Sequence, residues 1–228
     1  MPLSPGQTLK QRYQIQSTLG RGGMGVDYQA YDHVLQRTVA IKVLPPRPTV
    51  DVEFVTRFQR EVMASANLRH PNIMTVYDVG QQDGEYFIIM EYLNGTTLKQ
   101  WLAQHGPMPA AQASQVVDQI ASALDHAHAR GIIHLDVKPS NIMLDSHERA
   151  VLMDFGLVRA GEGFGPTRST VVGTPEYMAP EQALGRPVDG RTDIYSLGVV
   201  IYEMLSGHVP FARSTPIAIA HAHVYDLP

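Results

Sequence analysis

The chain contains no cysteine, which excludes a disulfide scaffold, a thiolate zinc site and a cysteine nucleophile together. It lacks any run of roughly eighteen apolar residues free of charge, so no membrane-spanning helix is predicted. The opening residues, Met1-Pro2-Leu3-Ser4-Pro5-Gly6, show no charged stretch followed by an apolar one, and no signal peptide is predicted. Internal repeats and low-complexity tracts are missing as well. Charge is scarce and nearly balanced: Lys+Arg 18 against Asp+Glu 22 leaves a net −4. A mildly acidic chain argues against non-specific binding to nucleic acid or anionic lipid. What the chain does have is 44% hydrophobic and 18% charged residues over a length of 228. That composition buries a substantial core and excludes disorder for most of the chain. The expectation is a globular, cytoplasmic protein built as one large domain or two lobes.

The first ninety or so residues read as strands. Tyr13 to Leu19 alternates, a glycine cluster follows, and Tyr28 to Tyr31 resumes an extended pattern. Thr38 to Leu44 is a strong strand stopped by Pro45-Pro46. Val50 to Leu68 reads as a helix with Phe54, Phe58, Val62 and Leu68 on one stripe. Val76–Val79 and Tyr86–Met90 form two further strands around the turn dipeptide Asp83-Gly84. After Gly95 the chain becomes mainly helical. Ala113, Val116, Val117, Ile120, Leu124 and Ala127 trace an amphipathic helix opened near Pro109 and closed by Gly131. Ile194 to Leu205 is apolar on nearly every face, which predicts burial on all sides, and Gly207 ends it. A small β-rich lobe therefore precedes a helical one, and a cleft between lobes is an expected ligand site.

Gly20-Arg21-Gly22-Gly23-Met24-Gly25 lies between two predicted strands, where bare backbone N–H groups can approach phosphates. A strand rather than a helix follows, so this is no dinucleotide fingerprint. Alone, such a stretch is also an ordinary hairpin turn. Lys42 sits in an apolar strand; its ordinary reading is an outward-facing lysine. Glu61, however, falls on the core-facing stripe of its helix and needs a cation, for which Lys42 is the natural candidate. His134-Leu135-Asp136-Val137-Lys138-Pro139-Ser140-Asn141 carries polar residues at spacings that no single strand face accommodates, so they belong on a loop converging on one site. A hairpin of Asn141–Leu144 with Ala150–Met153 then brings Asn141 close to Asp154, two oxygen donors suited to Mg²⁺. His126/His128 and His221/His223 are each two apart and do not share a helix face, so no metal site is predicted there.

Together with Asp154-Phe155-Gly156, Ala179-Pro180-Glu181 and Asp193-Ile194-Tyr195-Ser196-Leu197-Gly198, these motifs resemble the eukaryotic-like (Hanks-type) serine/threonine protein kinases, in particular the bacterial branch. They occur in that family's order and spacing. The resemblance implies an α+β, bilobal protein-kinase-like fold: a small β-rich N-lobe with one helix and a larger, mainly helical, truncated C-lobe. It divides the chain into an N-terminal extension (1–12) and a kinase domain (13–228), with the N-lobe at 13–91, a hinge at 92–95 and an incomplete C-lobe at 96–228.

By the same resemblance, Leu19, Gly20, Arg21, Gly22, Gly23, Met24 and Gly25 cover ATP, and Lys42, held by Glu61, contacts its α- and β-phosphates. Ala40 and Met143 enclose the adenine; the backbone of Glu91 and Leu93 bonds its edge, with Met90 as gatekeeper. Asn141 and Asp154 hold Mg²⁺ (or Mn²⁺). Asp136 accepts the proton of the substrate hydroxyl, and Lys138 offsets charge on the γ-phosphate. Asp193 anchors the backbone of the catalytic loop, and His134 is a structural histidine near Phe155. The implied partners are ATP and proteins carrying Ser or Thr, and Thr167, Ser169 and Thr170 are expected autophosphorylation sites.

Three features depart from the family. Leu135 stands where an arginine normally clasps a phosphorylated loop. Asp27 puts a carboxylate where an apolar residue roofs the adenine, which predicts weak ATP affinity. The chain stops at Pro228, which predicts Glu181 without its arginine partner. A pseudokinase-like ATP-binding scaffold is the alternative that these departures keep open.

Overall fold

The computed structural model describes residues 3–22, 25–44, 62, 66–82, 84–147, 149–155 and 174–228. Most of the predicted helix 50–68 lies outside them, as do Gly23, Met24, Glu61, Asp83, Gly156 and the 167–170 phosphosites; Val62 and Leu68 are described and buried. The chain folds as two compact units. One comprises residues 1–69 and 74–93, the other 70–73 and 94–228.

The first unit is an antiparallel sheet of β1 (Thr8–Leu9), β2 (Tyr13–Gly22), β3 (Gly25–Asp32), β4 (Arg37–Val43), β5 (Val76–Gln82) and β6 (Glu85–Glu91), in the order β1-β2-β3-β4-β6-β5. Alternation decides which side chains are covered. Tyr13 and Ile15, Tyr28 and Ala30, Val39, Ile41 and Val43, and Phe87 and Ile89 form one buried cluster. The residues between them, including Asp27, Ala40, Lys42 and Met90, point to the opposite face. Residues 3–12, set apart in the sequence as an extension, carry β1, whose Leu9 joins that cluster. β2 shifts register between Ile15 and Ser17 and again between Thr18 and Gly20; such bulges re-aim the strand just before its glycines. Gly25 is required by space and by conformation, since its φ is +129° and an added Cβ would fall on the Val43 carbonyl.

The second unit contains a three-stranded sheet, β7 (Gly95–Thr97), β8 (Ile142–Asp145) and β9 (Ala150–Leu152), and helices α1 (Leu98–His105), α2 (Ala110–His128), α3 (Pro180–Ala183), α4 (Gly190–Ser206) and α5 (Pro216–Tyr225). The α1 start was legible but unread: Thr97 and Gln100 form a reciprocal capping box. Likewise Thr215 accepts from the Ala218 N–H and Pro216 takes the first position of α5. Residues 70–73 belong here because Asn72 Nδ2 donates to Gln119 Oε1 (2.7 Å) and to the Ala150 carbonyl (2.8 Å), while Ile73 bridges Leu152.

The burial predicted for the 194–205 run on every side is not what α4 shows. Ile194 and Leu205 are each 48% exposed. The buried stripe is Thr192, Asp193, Ser196, Leu197, Val199, Val200 and Met204, a helical three–four spacing that faces its neighbours on one side. Composition alone overcounts burial here, because a helix packed on one side needs only that stripe. No helix among the described residues is long and apolar enough to cross a membrane.

One pH-sensitive contact holds α5 in place. The buried His223 ring bonds the Glu176 carbonyl through Nε2 (3.0 Å) and the Tyr195 hydroxyl through Nδ1 (2.8 Å). A carbonyl only accepts, so Nε2 carries the proton and Nδ1 accepts from the phenol, the pattern of a neutral ring. Burial accordingly holds the His223 pKa below its ordinary value of 6.5. The unfolded chain then binds the proton more readily, so this contribution to stability is present above that value and is lost as pH falls through the lowered one. Thermal melts between pH 8 and pH 5 should show a shallower acid-side decline in His223→Gln than in the wild type. Parallel profiles would contradict the assignment.

Candidate active site

In the second unit, the loop after α2 collects the predicted catalytic residues. Asp136 Oδ2 lies 2.7 Å from Lys138 Nζ. Asn141 Nδ2 donates to the same oxygen (2.9 Å) and to the Asp136 carbonyl (2.8 Å). Lys138 Nζ also donates to Thr174 Oγ1 (2.8 Å), which ties the loop to the segment preceding α3. The spacing of Asp136, Lys138 and Asn141 follows from local geometry. Lys138 is extended, Pro139 opens a short 3₁₀ turn over Pro139–Asn141, and that turn swings Asn141 back onto Asp136.

Asn141 leads directly into β8, whose Ile142 faces Leu152 of β9. The Met153 N–H bonds the Asn141 carbonyl (2.8 Å), which closes the β8–β9 hairpin one residue before Asp154 in the chain. Asp154 has φ +60°, a left-handed conformation that aspartate tolerates better than most residues. Beyond it, the Phe155 ring meets His134 edge-on at 4.6 Å. His134 is fully buried. Its Nδ1 accepts from the Asp136 N–H (3.2 Å) and its Nε2 donates to the Met153 carbonyl (2.7 Å). Both nitrogens are committed to backbone, which leaves this ring a structural part rather than an acid or base.

The loop is held from beneath by Asp193 on α4, 0% exposed. Its Oδ1 accepts from the Leu135 N–H (2.7 Å); its Oδ2 accepts from the His134 N–H (2.8 Å) and from His128 Nε2 (2.7 Å). The hydrogen bond to Asp193 raises the His128 pKa above 6.5, against the opposing effect of burial. His128 is a supporting residue that the sequence reading passed over, because its partner lies on a helix far along the chain. Leu135 itself sits at φ +68°, a strained conformation for a leucine costing about 1–3 kcal/mol. It is buried, and Gln182 Nε2 donates to its carbonyl (3.1 Å). The side chain that replaces the family's arginine is thus used for packing.

Glu181, expected without its arginine partner, is bonded by a hydroxyl. Thr192 Oγ1, at the start of α4 and fully buried, donates to Glu181 Oε1. The half-buried carboxylate is satisfied by a hydroxyl instead of a guanidinium. Nearby, the Tyr177 hydroxyl donates to Glu203 Oε2 (2.6 Å), and burial together with that carboxylate raises its pKa.

In the first unit, Lys42 is 7% exposed on β4, between Ile41 and Val43. The predicted partner Glu61 lies outside the described residues. One partner is Asp27, directly opposite on β3, with Oδ1 3.0 Å and Oδ2 3.1 Å from Nζ. Gly20 and Gly22 have nothing within 4 Å of an added Cβ, so their backbone is open. Leu19 is 47% exposed and Arg21 is exposed, whereas Ala40, Met90 and Leu93 are buried. The Glu91 N–H is already taken by the Thr75 carbonyl (2.8 Å). Met143 of the second unit is half-buried on β8.

Asn141 and Asp154 supply an amide oxygen and a carboxylate, the hard donors that Mg²⁺ or Mn²⁺ takes. The two bonds from Asn141 Nδ2 to Asp136 commit the nitrogen end of that amide, which leaves its oxygen end for a cation. Among the described residues no group of three or more His, Cys, Asp or Glu forms a complete cage. A cation here would therefore take its other ligands from phosphate and water.

A profile of the protein kinase domain matches residues 13–226. The chain is similar to a probable serine/threonine-protein kinase of Clostridium acetobutylicum, 44% identical over 222 residues that make up 97% of this chain and 34% of that protein. The serine/threonine-protein kinase PrkC of Bacillus subtilis is 40% identical over 96% of this chain and 34% of its own length. The chain thus spans about a third of the length of the curated relatives it matches. Among solved structures, the kinase domain of PknI from Mycobacterium tuberculosis aligns with a TM-score of 0.76 and 36% identity, covering 94% of this chain and 81% of that one.

Proposed function

Because the chain belongs to the protein kinase family, we propose that it transfers the γ-phosphoryl group of ATP to serine and threonine hydroxyls of proteins, its own 167–170 segment included. The observation that supports this most directly is the linked set of Asp136, Lys138, Asn141 and Thr174. An Asp136 carboxylate held by a lysine and an amide has a defined direction. It can align a substrate hydroxyl and accept its proton as the oxygen attacks phosphorus. Lys138 places its ammonium beside that carboxylate, where it offsets the negative charge of the transferring group without proton exchange. Its bond to Thr174 Oγ1 links the same ammonium to the segment before α3. A kinase selective for aliphatic hydroxyls would present its acceptor there.

The family uses ATP and a divalent metal, and we assign Mg²⁺ or Mn²⁺ to Asn141 and Asp154. When bound, the cation neutralises phosphate charge and fixes the orientation of the γ-phosphoryl group. Lys42 and the bare backbone of Gly20, Gly22 and Gly25 are assigned to the phosphates, with Gly23 and Met24 completing that loop. Ala40, Met90, Met143 and the backbone of Glu91 and Leu93 are assigned to the adenine, and Glu61 to the support of Lys42. The kinase domain is assigned to 13–228, with its β-rich part ending at 91. Incubation with γ-labelled ATP and casein tests the reading. Label should appear on serine or threonine with the wild type and be absent with Asp154→Ala; equal labelling by both proteins would sink it.

A further inference from the structure

Asp27 sits at the centre of a row that crosses three strands. The β2–β3 register sets it opposite Gly20, and the β3–β4 register sets it opposite Lys42. Directly opposed residues of antiparallel strands share a face. The carboxylate therefore stands between an open glycine backbone and a buried ammonium, the two groups assigned above to the ATP phosphates. Both of its oxygens lie within 3.1 Å of Lys42 Nζ. The ammonium is enclosed, with a side-chain exposure of 9%, whereas the carboxylate is 36% exposed. On the same face, Lys42 is flanked by Ala40 on β4 and by Ile88, Met90 and Tyr86 on β6. A charge so enclosed requires an anion, and Asp27 supplies one from within the sheet.

We propose that Asp27 is a resident counter-ion that competes with nucleotide phosphate for Lys42, and that it thereby sets how much the phosphates contribute to nucleotide affinity. An incoming phosphate must displace the carboxylate from the ammonium and lie beside a second negative charge. The cost falls on the phosphates alone. A nucleoside, which carries no phosphate, does not meet it, and each added phosphate returns less affinity than an uncontested lysine would give. The proposal rests on the assignment of Lys42 to the ATP phosphates, which the experiment below tests separately.

Calorimetric titrations of adenosine, ADP and ATP, with magnesium present, into the wild type and Asp27→Asn read the effect. The asparagine keeps the shape and removes the charge; Asp27→Ser serves as a second variant, and thermal melts establish that both are folded. In the wild type, ATP should bind within about tenfold of adenosine. In both variants ATP and ADP should bind roughly tenfold tighter, the order expected for one partly buried charge pair, while adenosine affinity stays unchanged. Equal ATP affinity in wild type and variants overturns the proposal. So does wild-type ATP binding more than about a hundredfold tighter than adenosine. An equal gain for adenosine would mean that Asp27 acts on the base and overturns it too. Weaker ATP binding in the variants would show that Asp27 holds a cation for the nucleotide rather than competing with it. Failure of adenosine and ATP to bind any of the proteins overturns the kinase reading itself, and this proposal with it.

Discussion

Asp136→Ala should lower phosphoryl transfer by about two to four orders of magnitude, the range that a positioned proton-accepting group supplies, with the fold essentially unchanged. The local bonds explain why the two effects separate. Without the carboxylate, Lys138 keeps its bond to Thr174 Oγ1, and Asn141 keeps its bond to the residue-136 carbonyl, which alanine also provides. The loop therefore retains its ties, while nothing remains to align and deprotonate the acceptor. Lys42→Ala and Asp154→Ala should each cause losses of comparable size, since positioned charge in such sites is worth several kcal/mol and about 1.4 kcal/mol is tenfold in rate. Steady-state rates measured beside thermal melts check this. Wild-type turnover in Asp136→Ala would overturn the mechanism; lost activity accompanied by a collapsed melt would instead make Asp136 structural.

The second large effect concerns stability. Asp193→Asn should destabilise the second unit by about 3–5 kcal/mol, as expected for breaking a buried charge network. At this chain size, roughly 2–4 °C per kcal/mol gives a melting point lower by about 6–20 °C. The Asp193 carboxylate accepts from three donors, the N–H groups of His134 and Leu135 and the ring of His128. An asparagine has only one acceptor oxygen and turns N–H groups toward at least one of those donors. It also releases Leu135, whose left-handed backbone is held partly by its bond to Asp193. His128→Ala removes one donor and leaves both backbone bonds, so its loss should be smaller, about 1–2 kcal/mol. pH supplies an independent check. The His128 pKa is raised, so its contribution is fully present below pH 6.5 and lost as pH rises through the raised value. That alkaline-side decline should vanish in Asp193→Asn. A variant melting within a degree or two of the wild type would refute the account.

These two sites also divide what was readable from what was not. The Asp136–Asn141 loop and the hairpin leading to Asp154 are short in sequence, so residue order alone brings their groups together. The strands of the first unit were readable for the same reason, since alternation in Val39, Ile41 and Val43 announces which face is covered. Bonds made across elements left no local signal. His128 and His223 were weighed only as members of the pairs His126/His128 and His221/His223, which do not share a helix face, yet each is held by residues dozens of positions away. Glu181 was expected without its arginine partner, and the hydroxyl of Thr192, on a different helix, bonds it instead.

By itself, the sequence determined the family, the order of the motifs and the identity of the groups available for chemistry, because each is written in short spacings and residue types. Which charge each group meets was decided only by tertiary structure. Asp27 followed the glycines as an apparent replacement for an apolar roof; antiparallel register placed it opposite Lys42 and made it a counter-ion. Register is set by the turn joining β3 and β4 and by burial of the opposite face, so a shift of one residue would have moved the carboxylate to the other side of the sheet.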